Sequence, residues 1–234
     1  MVVKSEPPPY STLSSADIFT KPTSPPSNFQ HVQHNAALKG TYVIDASLKV
    51  PDDLLDATSG RRNKNLYLES MTGEIEADIW IVGKEFNLLD QRGTGSSSET
   101  RPRAVVDVNG ITTRAVKHRI NLHTTPGNPC TISIYAGVDV YLAIPSDFVG
   151  PISLKVTGNQ NVHYSEGIQS ILTTFSEANG KRRCFAGDIR MAEYKGERSW
   201  TGSTIDVTIE KCGSLFMFVL GEEPPVAPGG CTIM

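Results

Sequence analysis

The last four residues, Cys231-Thr232-Ile233-Met234, are where residue type and spacing specify a chemistry most clearly. Prenyl transferases take a Cys four places from the end, an aliphatic residue two places later and a last residue that selects the lipid; terminal Met favours farnesyl. At ordinary residue frequencies the pattern arises by chance in about 0.1% of chains. The preceding stretch, Glu222-Glu223-Pro224-Pro225-Val226-Ala227-Pro228-Gly229-Gly230, joins a sheet poorly. It would present Cys231 on an arm reaching at most roughly 28 Å in a polyproline conformation. The expectation is a lipidated Cys231, with the prenyl transferase machinery and then a membrane surface as partners. One lipid is a marginal anchor. Glu222 and Glu223 stand where a polybasic patch would support it, so attachment is expected to be weak and exchanging. A homo-oligomer would strengthen it by adding lipids.

Near the other end, Pro7-Pro8-Pro9-Tyr10 fits the Pro-Pro-x-Tyr ligand of WW domains, whose aromatic groove takes a preformed polyproline helix at little entropic cost. A WW-domain protein is therefore an expected partner, with Lys4 and Lys21 as nearby ubiquitin acceptors if the reader is a ligase. The plainer alternative is a proline-rich tail that happens to contain Tyr.

A third set of groups lies on strands. Glu76, Asp78, Asp107, Asp139 and Asp206 sit at outward positions of alternating segments. Stacked closely, such carboxylates bind calcium or perform acid–base work on a sugar. Spread apart, they are solvated outer faces that keep sheets from pairing with other chains. There is no Gly-x-Ser-x-Gly elbow, P-loop or His-Glu-x-x-His. The glycine-rich run Gly93-Thr94-Gly95-Ser96-Ser97-Ser98 lacks the Lys of a phosphate cradle. Cys130, Cys184, Cys212 and Cys231 form no Cys-x-x-Cys pair and no zinc spacing with the five histidines. The expectation is a non-enzymatic protein without catalytic residues, cofactor or metal, in which Cys130, Cys184 and Cys212 are small buried thiols. A carbohydrate-active or calcium-binding protein is the alternative.

The rest of the chain must position these groups. Net charge is −3, and the basic runs Arg61-Arg62-Asn63-Lys64 and Lys181-Arg182-Arg183 are short and flanked by turn residues. That speaks for solvated loop charge and against nucleic acid as a partner. The start of the chain has no apolar signal region, and no apolar run reaches the ~20 residues that span a bilayer. A cytoplasmic protein, peripheral on a membrane through its lipid, is the expected address. Residues 1–37, rich in Pro, Ser and Thr, read as a disordered tail, 38–221 as one β-rich domain, and 222–234 as the flexible tail.

Within 38–221 strand follows strand. Ile75, Ala77, Ile79 and Ile81 alternate with polar residues. So do Ala104, Val106 and Val108; Val138, Val140, Leu142 and Ile144; Ile152, Leu154 and Val156; and Ile205, Val207 and Ile209. Leu215 to Leu220 is apolar on both faces, which predicts a strand covered on both sides. The one helical turn expected runs from Asp52 to Leu55. Five glycines mark corners between strands: Gly73, Gly110, Gly137, Gly158 and Gly213. Glycine suits corners by accepting positive φ. The shorter intervals approach the ~20-residue unit of stacked β repeats, with insertions expected at 85–102 and 176–203. The fold class is thus all-β, a β-solenoid-like stack with glycine turns, with a β-sandwich as the alternative.

Several stretches carry a resemblance. They are Thr41-Tyr42-Val43-Ile44-Asp45, Asn65-Leu66-Tyr67-Leu68-Glu69-Ser70 followed by Gly73-Glu74-Ile75-Glu76-Ala77-Asp78-Ile79-Trp80, Tyr141 to Phe148 with Gly150-Pro151-Ile152, and Thr173 to Glu177 with Arg182-Arg183-Cys184-Phe185. Over residues 38–221 the chain resembles a family of uncharacterised proteins from mushroom-forming basidiomycete fungi, itself similar to β-solenoid adhesin-like proteins of bacteria. That family's turns usually read Ser-x-Asn-Gly-Ser-Val; here only Gly110 keeps the Asn. The resemblance implies a fold and transfers no catalytic residue.

Overall fold

The computed structural model describes residues 21–54, 64–83, 102–112, 116–157, 161–210 and 213–226. Fourteen strands are described: β1 (Gln30–His34), β2 (Leu38–Asp45), β3 (Leu66–Ser70), β4 (Ile75–Val82), β5 (Ala104–Gly110), β6 (Lys117–Thr124), β7 (Cys130–Ala136), β8 (Asp139–Ile144), β9 (Gly150–Val156), β10 (Val162–Tyr164), β11 (Leu172–Ala178), β12 (Lys181–Ala186), β13 (Thr204–Ile209) and β14 (Leu215–Val219). A short helix α1 (Glu166–Ile171) and a 3-10 turn (Asp52–Leu54) complete the elements. β1 lies inside the stretch 1–37 expected to be tail, so strand structure begins earlier than the Leu38 boundary.

Odd-numbered strands β1 to β9 join one sheet and even-numbered β2 to β10 the other, so each turn of chain visits both. Pairing is parallel and in register from β1 to β7 and from β2 to β8, for example Leu38 with Ile75 and Leu66 with Val106. Strict alternation then stacks like on like. On the eight-stranded sheet Leu66, Val106, Ile132, Ile205, Ile152 and Cys184 form one inward ladder. On the six-stranded sheet Ala77, Ile120, Leu142 and Met217 form another. Both sets of ladders meet in one core. Neighbouring strands are ~4.8 Å apart, so each aliphatic side chain rests on the next and water is excluded along the stack. The alternating residues expected to face inward do so. Leu215, Phe216, Met217 and Phe218 are all buried, as the two-faced apolar run required.

Two features depart from a simple climb. β13 lies between β7 and β9, and β14 between β8 and β10. The last pair of strands is therefore inserted into the stack and does not extend it. Before returning, the chain forms α1 and the antiparallel hairpin β11–β12, with β12 antiparallel to β9. Ser165 caps α1 by accepting from the Ile168 amide at 3.3 Å, and the fully buried Ile168 closes the end of the core. The basic run Lys181-Arg182-Arg183 starts β12 and is not loop charge: Arg182 pairs with Glu177 at 2.7 Å and Arg183 with Glu197 at 3.2 Å.

The corners correct a physical expectation. Gly73, Gly110, Gly137 and Gly213 do not use positive φ; Gly158 lies outside the described residues. What three of them lack is room. A Cβ on Gly73 would come within 3.0 Å of the Ala36–Ala37 backbone, one on Gly213 within 3.0 Å of the Val138 carbonyl, and one on Gly110 within 3.0 Å of His118. Corner backbones also bond to each other along the stack, as Met71 N to His34 O, Ile111 N to Ser70 O and Gly137 N to Gly110 O, at 3.1–3.2 Å. At Gly73 and Gly213 glycine is required because the corner stacks directly on the backbone of its neighbour, and at Gly110 because the His118 ring fills the space.

His118 faces inward at such a corner, 1% exposed, with Nδ1 accepting from the Ile75 amide at 3.0 Å. Burial pushes its pKa below the ordinary 6.5, against smaller opposite contributions from Gly110 and Glu74. Protonation would turn the acceptor into a donor facing Ile75 N–H. Below the ordinary pKa the unfolded chain therefore binds a proton that the folded one refuses. Stability falls as pH drops from about 6.5 to the folded value, then levels off. Urea midpoints should decrease from pH 7.5 to pH 5.0, and His118→Asn, which keeps an acceptor, should flatten that slope. Equal slopes for both proteins would refute this role.

Candidate functional site

Outward rows follow the same register as the core. On the eight-stranded sheet one row runs Tyr67, Asp107, Ser133, Asp206, Ser153, Arg183. Over its β13–β9–β12 part lies the segment 187–203. This segment is held by a ring cluster: Phe185 to Tyr194 at 5.2 Å, Phe185 to Trp200 at 5.9 Å and Tyr194 to Trp200 at 5.4 Å between centroids. Trp200 Nε1 donates to Ser203 O at 2.9 Å, and Arg103 Nη2 donates to the Trp200 carbonyl at 2.6 Å. Asp188 Oδ1 accepts from the amides of Arg190 at 2.8 Å and Met191 at 3.2 Å, which turns the chain back over the sheet.

Between roof and sheet is a cleft of about 450 Å³, inside the range of small-ligand sites. Asp206 and Ser153 stand on its floor, Phe175 of β11 at its rim, Tyr194 and Glu197 in its roof, with Arg183 beside them. Phe175 falls at a break in the β11–β12 register, between Thr174 and Ser176, and is 59% exposed. Partial burial raises the Asp206 pKa. Glu197 adds to that shift, while a hydrogen bond from Ser153 and the charge of Arg183 oppose it. Asp206 nevertheless keeps an exposed surface toward the cleft.

The other outward carboxylates have structural partners. Glu76 binds Lys39 at 2.8 Å, which holds its pKa below the usual carboxylate range, and Lys39 also reaches Glu74 at 2.9 Å. Asp78 accepts from Asn121 Nδ2 at 2.8 Å, and Asp139 accepts from the Ser214 amide at 2.8 Å. Asp107 pairs with Lys64. Glu76, Asp78 and Asp139 lie on the six-stranded sheet and Asp107 and Asp206 on the eight-stranded one. Asp107 and Asp206 share a row, but Ser133 separates them by two strand spacings, ~10 Å. The five acids therefore do not converge. Among the described residues no three His, Cys, Asp or Glu side chains gather as a metal site.

Aromatic rings take the outer face of the six-stranded sheet. Trp80 stacks on His123 at 3.9 Å, and Phe216 lies between Tyr141 at 4.5 Å and His163 at 4.8 Å. These rings stack because parallel register puts them on adjacent strands. Cys130 and Cys184 are buried free thiols, and burial pushes the Cys130 thiol up to about 11. Cys212, Pro7, Pro8, Pro9, Tyr10 and the motif Cys231, Thr232, Ile233, Met234 lie outside the described residues. No helix among the described residues is long and apolar enough to cross a membrane.

Sequence reasoning passed over the cleft. Its one visible signal is that Phe185, Tyr194 and Trp200 fall in a stretch otherwise charged and turn-rich, read only as an insertion. No curated protein and no solved structure matches the chain. A family model for a domain of unknown function, DUF7330, matches residues 28–222, which span the described strands from β1 to β14. The protein belongs to the DUF7330 family.

Proposed function

We propose that this protein is a non-enzymatic interaction module, built as a β-solenoid, that captures an extended segment of a partner protein and is held reversibly at a membrane by a prenyl group on Cys231. The observation that carries the interaction is β11. It is the outermost strand of its sheet, and none of its seven residues is buried. A strand that packs only Leu172 against the core, and whose outer edge has no strand partner among the described residues, is suited to pairing with a strand from elsewhere. Thr173, Thr174, Phe175 and Ser176 carry no charge, so this part of the edge pairs through backbone groups without selecting a segment by its charge. The solenoid reading, as against a sandwich, is supported by consecutive strands alternating between sheets and pairing in parallel.

The anchor reading is supported by the residue types of Cys231-Thr232-Ile233-Met234 and by their approach. Pro7-Pro8-Pro9-Tyr10 would add a WW-domain protein as a second partner. A second reading, carbohydrate or calcium binding through outward carboxylates, has support only at Asp206, where an acid and aromatic rings share a cleft.

Two measurements separate these. In cells with prenyl transferases, the wild type should divide between membrane and soluble fractions and Cys231→Ser should be wholly soluble. A wild type already fully soluble, with Cys231→Ser indistinguishable from it, removes the anchor. A photo-crosslinker replacing Phe175 should join one other protein through an extended segment; crosslinks only between copies of this chain would make the edge a self-association surface instead.

A further inference from the structure

The cleft under residues 187–203 shares Phe175 with the β11 edge but does not require a strand to pair there, and its chemistry is specific. Three charged side chains surround it: Arg183, Glu197 and Asp206. Arg183 Nη1 donates to Glu197 Oε1 at 3.2 Å, so these two offset each other. Asp206 remains, an exposed carboxylate on the floor of the cleft, with the Ser153 hydroxyl and the more distant Arg183 charge favouring its ionised form. The walls beside it are the rings of Phe175 and Tyr194. A carboxylate at the end of an aromatic slot complements one class of ligand above others. An ammonium is attracted by the acid while its apolar stem lies along the rings, an anion is repelled by Asp206, and a neutral ligand gains only the area it buries.

We propose that this cleft binds an organic ammonium carried on an apolar stem, with Asp206 taking the charged head and Phe175 and Tyr194 flanking the stem. The ammonium belongs either to a free amine or to a lysine side chain of an extended segment. The second source fits the geometry as well, because Phe175 is at once the rim of the cleft and a residue of the open edge strand.

Three probes with one body and three charges test this on the full chain at pH 7: phenethylamine, phenethyl alcohol and phenylacetate, titrated by calorimetry or protein-observed NMR. The amine should bind about tenfold more tightly than the alcohol, through its charge attraction to Asp206, and phenylacetate should show no saturation. Asp206→Asn should erase the difference between amine and alcohol. Phe175→Ala, at an exposed position of β11, should weaken both alike. Equal binding of all three, a cation preference that survives Asp206→Asn, or no saturable binding of the amine at millimolar concentration would each overturn the proposal. So would binding of cellobiose in preference to the amine, which would return the cleft to the carbohydrate reading. Two further probes identify the source: N-acetyl-lysine methylamide and a hexapeptide with a central lysine. Tighter binding of the peptide, lost when its backbone is N-methylated, assigns the lysyl side chain; equal binding assigns the free amine. Because the amine titration does not involve β11 pairing, its failure leaves the edge proposal standing, and failure of the crosslink at Phe175 leaves the cleft standing.

Discussion

Gly73→Ala is expected to cost about 3 kcal/mol or more of folding stability, although it adds one methyl group at a half-exposed corner. The added Cβ would lie within 3.0 Å of the Ala37 amide nitrogen and the Ala36 carbonyl carbon. Both are backbone of the adjacent corner, and neither can rotate away. Relief would need two corners to separate. That would strain the bonds through which Ser70 Oγ accepts from the Gly73 amide at 3.0 Å and donates to the carbonyls of Ala36 at 2.9 Å and Gly73 at 3.0 Å. Against a total of roughly 5–15 kcal/mol, this is a large share. Gly196→Ala is the control. Its Cβ would meet nothing within 4 Å, though φ is +125°. Its cost is backbone strain, on the order of 1 kcal/mol. Urea unfolding of the two variants decides the matter: comparable losses would mean that corner stacking does not control stability.

Ending the chain after Ser203 is expected to abolish the native fold, while removing β1 at the other end should leave a folded protein. β1 is an edge strand, so its loss exposes the next rung and little else. β13 and β14 sit inside the stack. Without them β7 no longer reaches β9, and β8 no longer reaches β10. Ile205, Val207, Ile209, Leu215 and Met217, all at 1% exposure or less, leave the core together. Burying one such side chain contributes about 1.5–3 kcal/mol, so the sum exceeds the stability of an ordinary domain. Amide dispersion in NMR spectra and far-ultraviolet circular dichroism of the two truncated chains test this. A folded protein lacking residues after 203 would show that β9 and β10 can close directly onto β7 and β8. The same topology implies slow folding, since Thr131 must pair with Thr204 across a long stretch of chain.

Much of the strand pattern was legible without coordinates. Alternation at Ile75, Ala77, Ile79 and Ile81 is enough to assign one face to the core, because side chains in a strand switch face at every residue. α1 escaped because six residues, with only Ile168 fully buried, leave no helical periodicity to detect. β1 escaped because Gln30 to His34 pairs through backbone groups and has only Val32 as an apolar contribution to the core. At the corner glycines the position was right and the reason was not: Gly73 and Gly213 serve close approach, which depends on a neighbour tens of residues away.

Residue order along the chain specifies the alternation that makes two-faced strands, the corners between them, and the residue types at both ends, including the spacing of Cys231-Thr232-Ile233-Met234. These are local properties, carried by neighbours along the chain. Which strand lies beside which is settled by packing in three dimensions. Ile132, Ile152 and Ile205 have interchangeable patterns, so nothing local says that β13 enters between β7 and β9. That placement puts Asp206 beside Ser153 and draws the segment 187–203, through Phe185, Tyr194 and Trp200, over the same row. The cleft is therefore a product of register across the sheet, and register is set by the whole core at once.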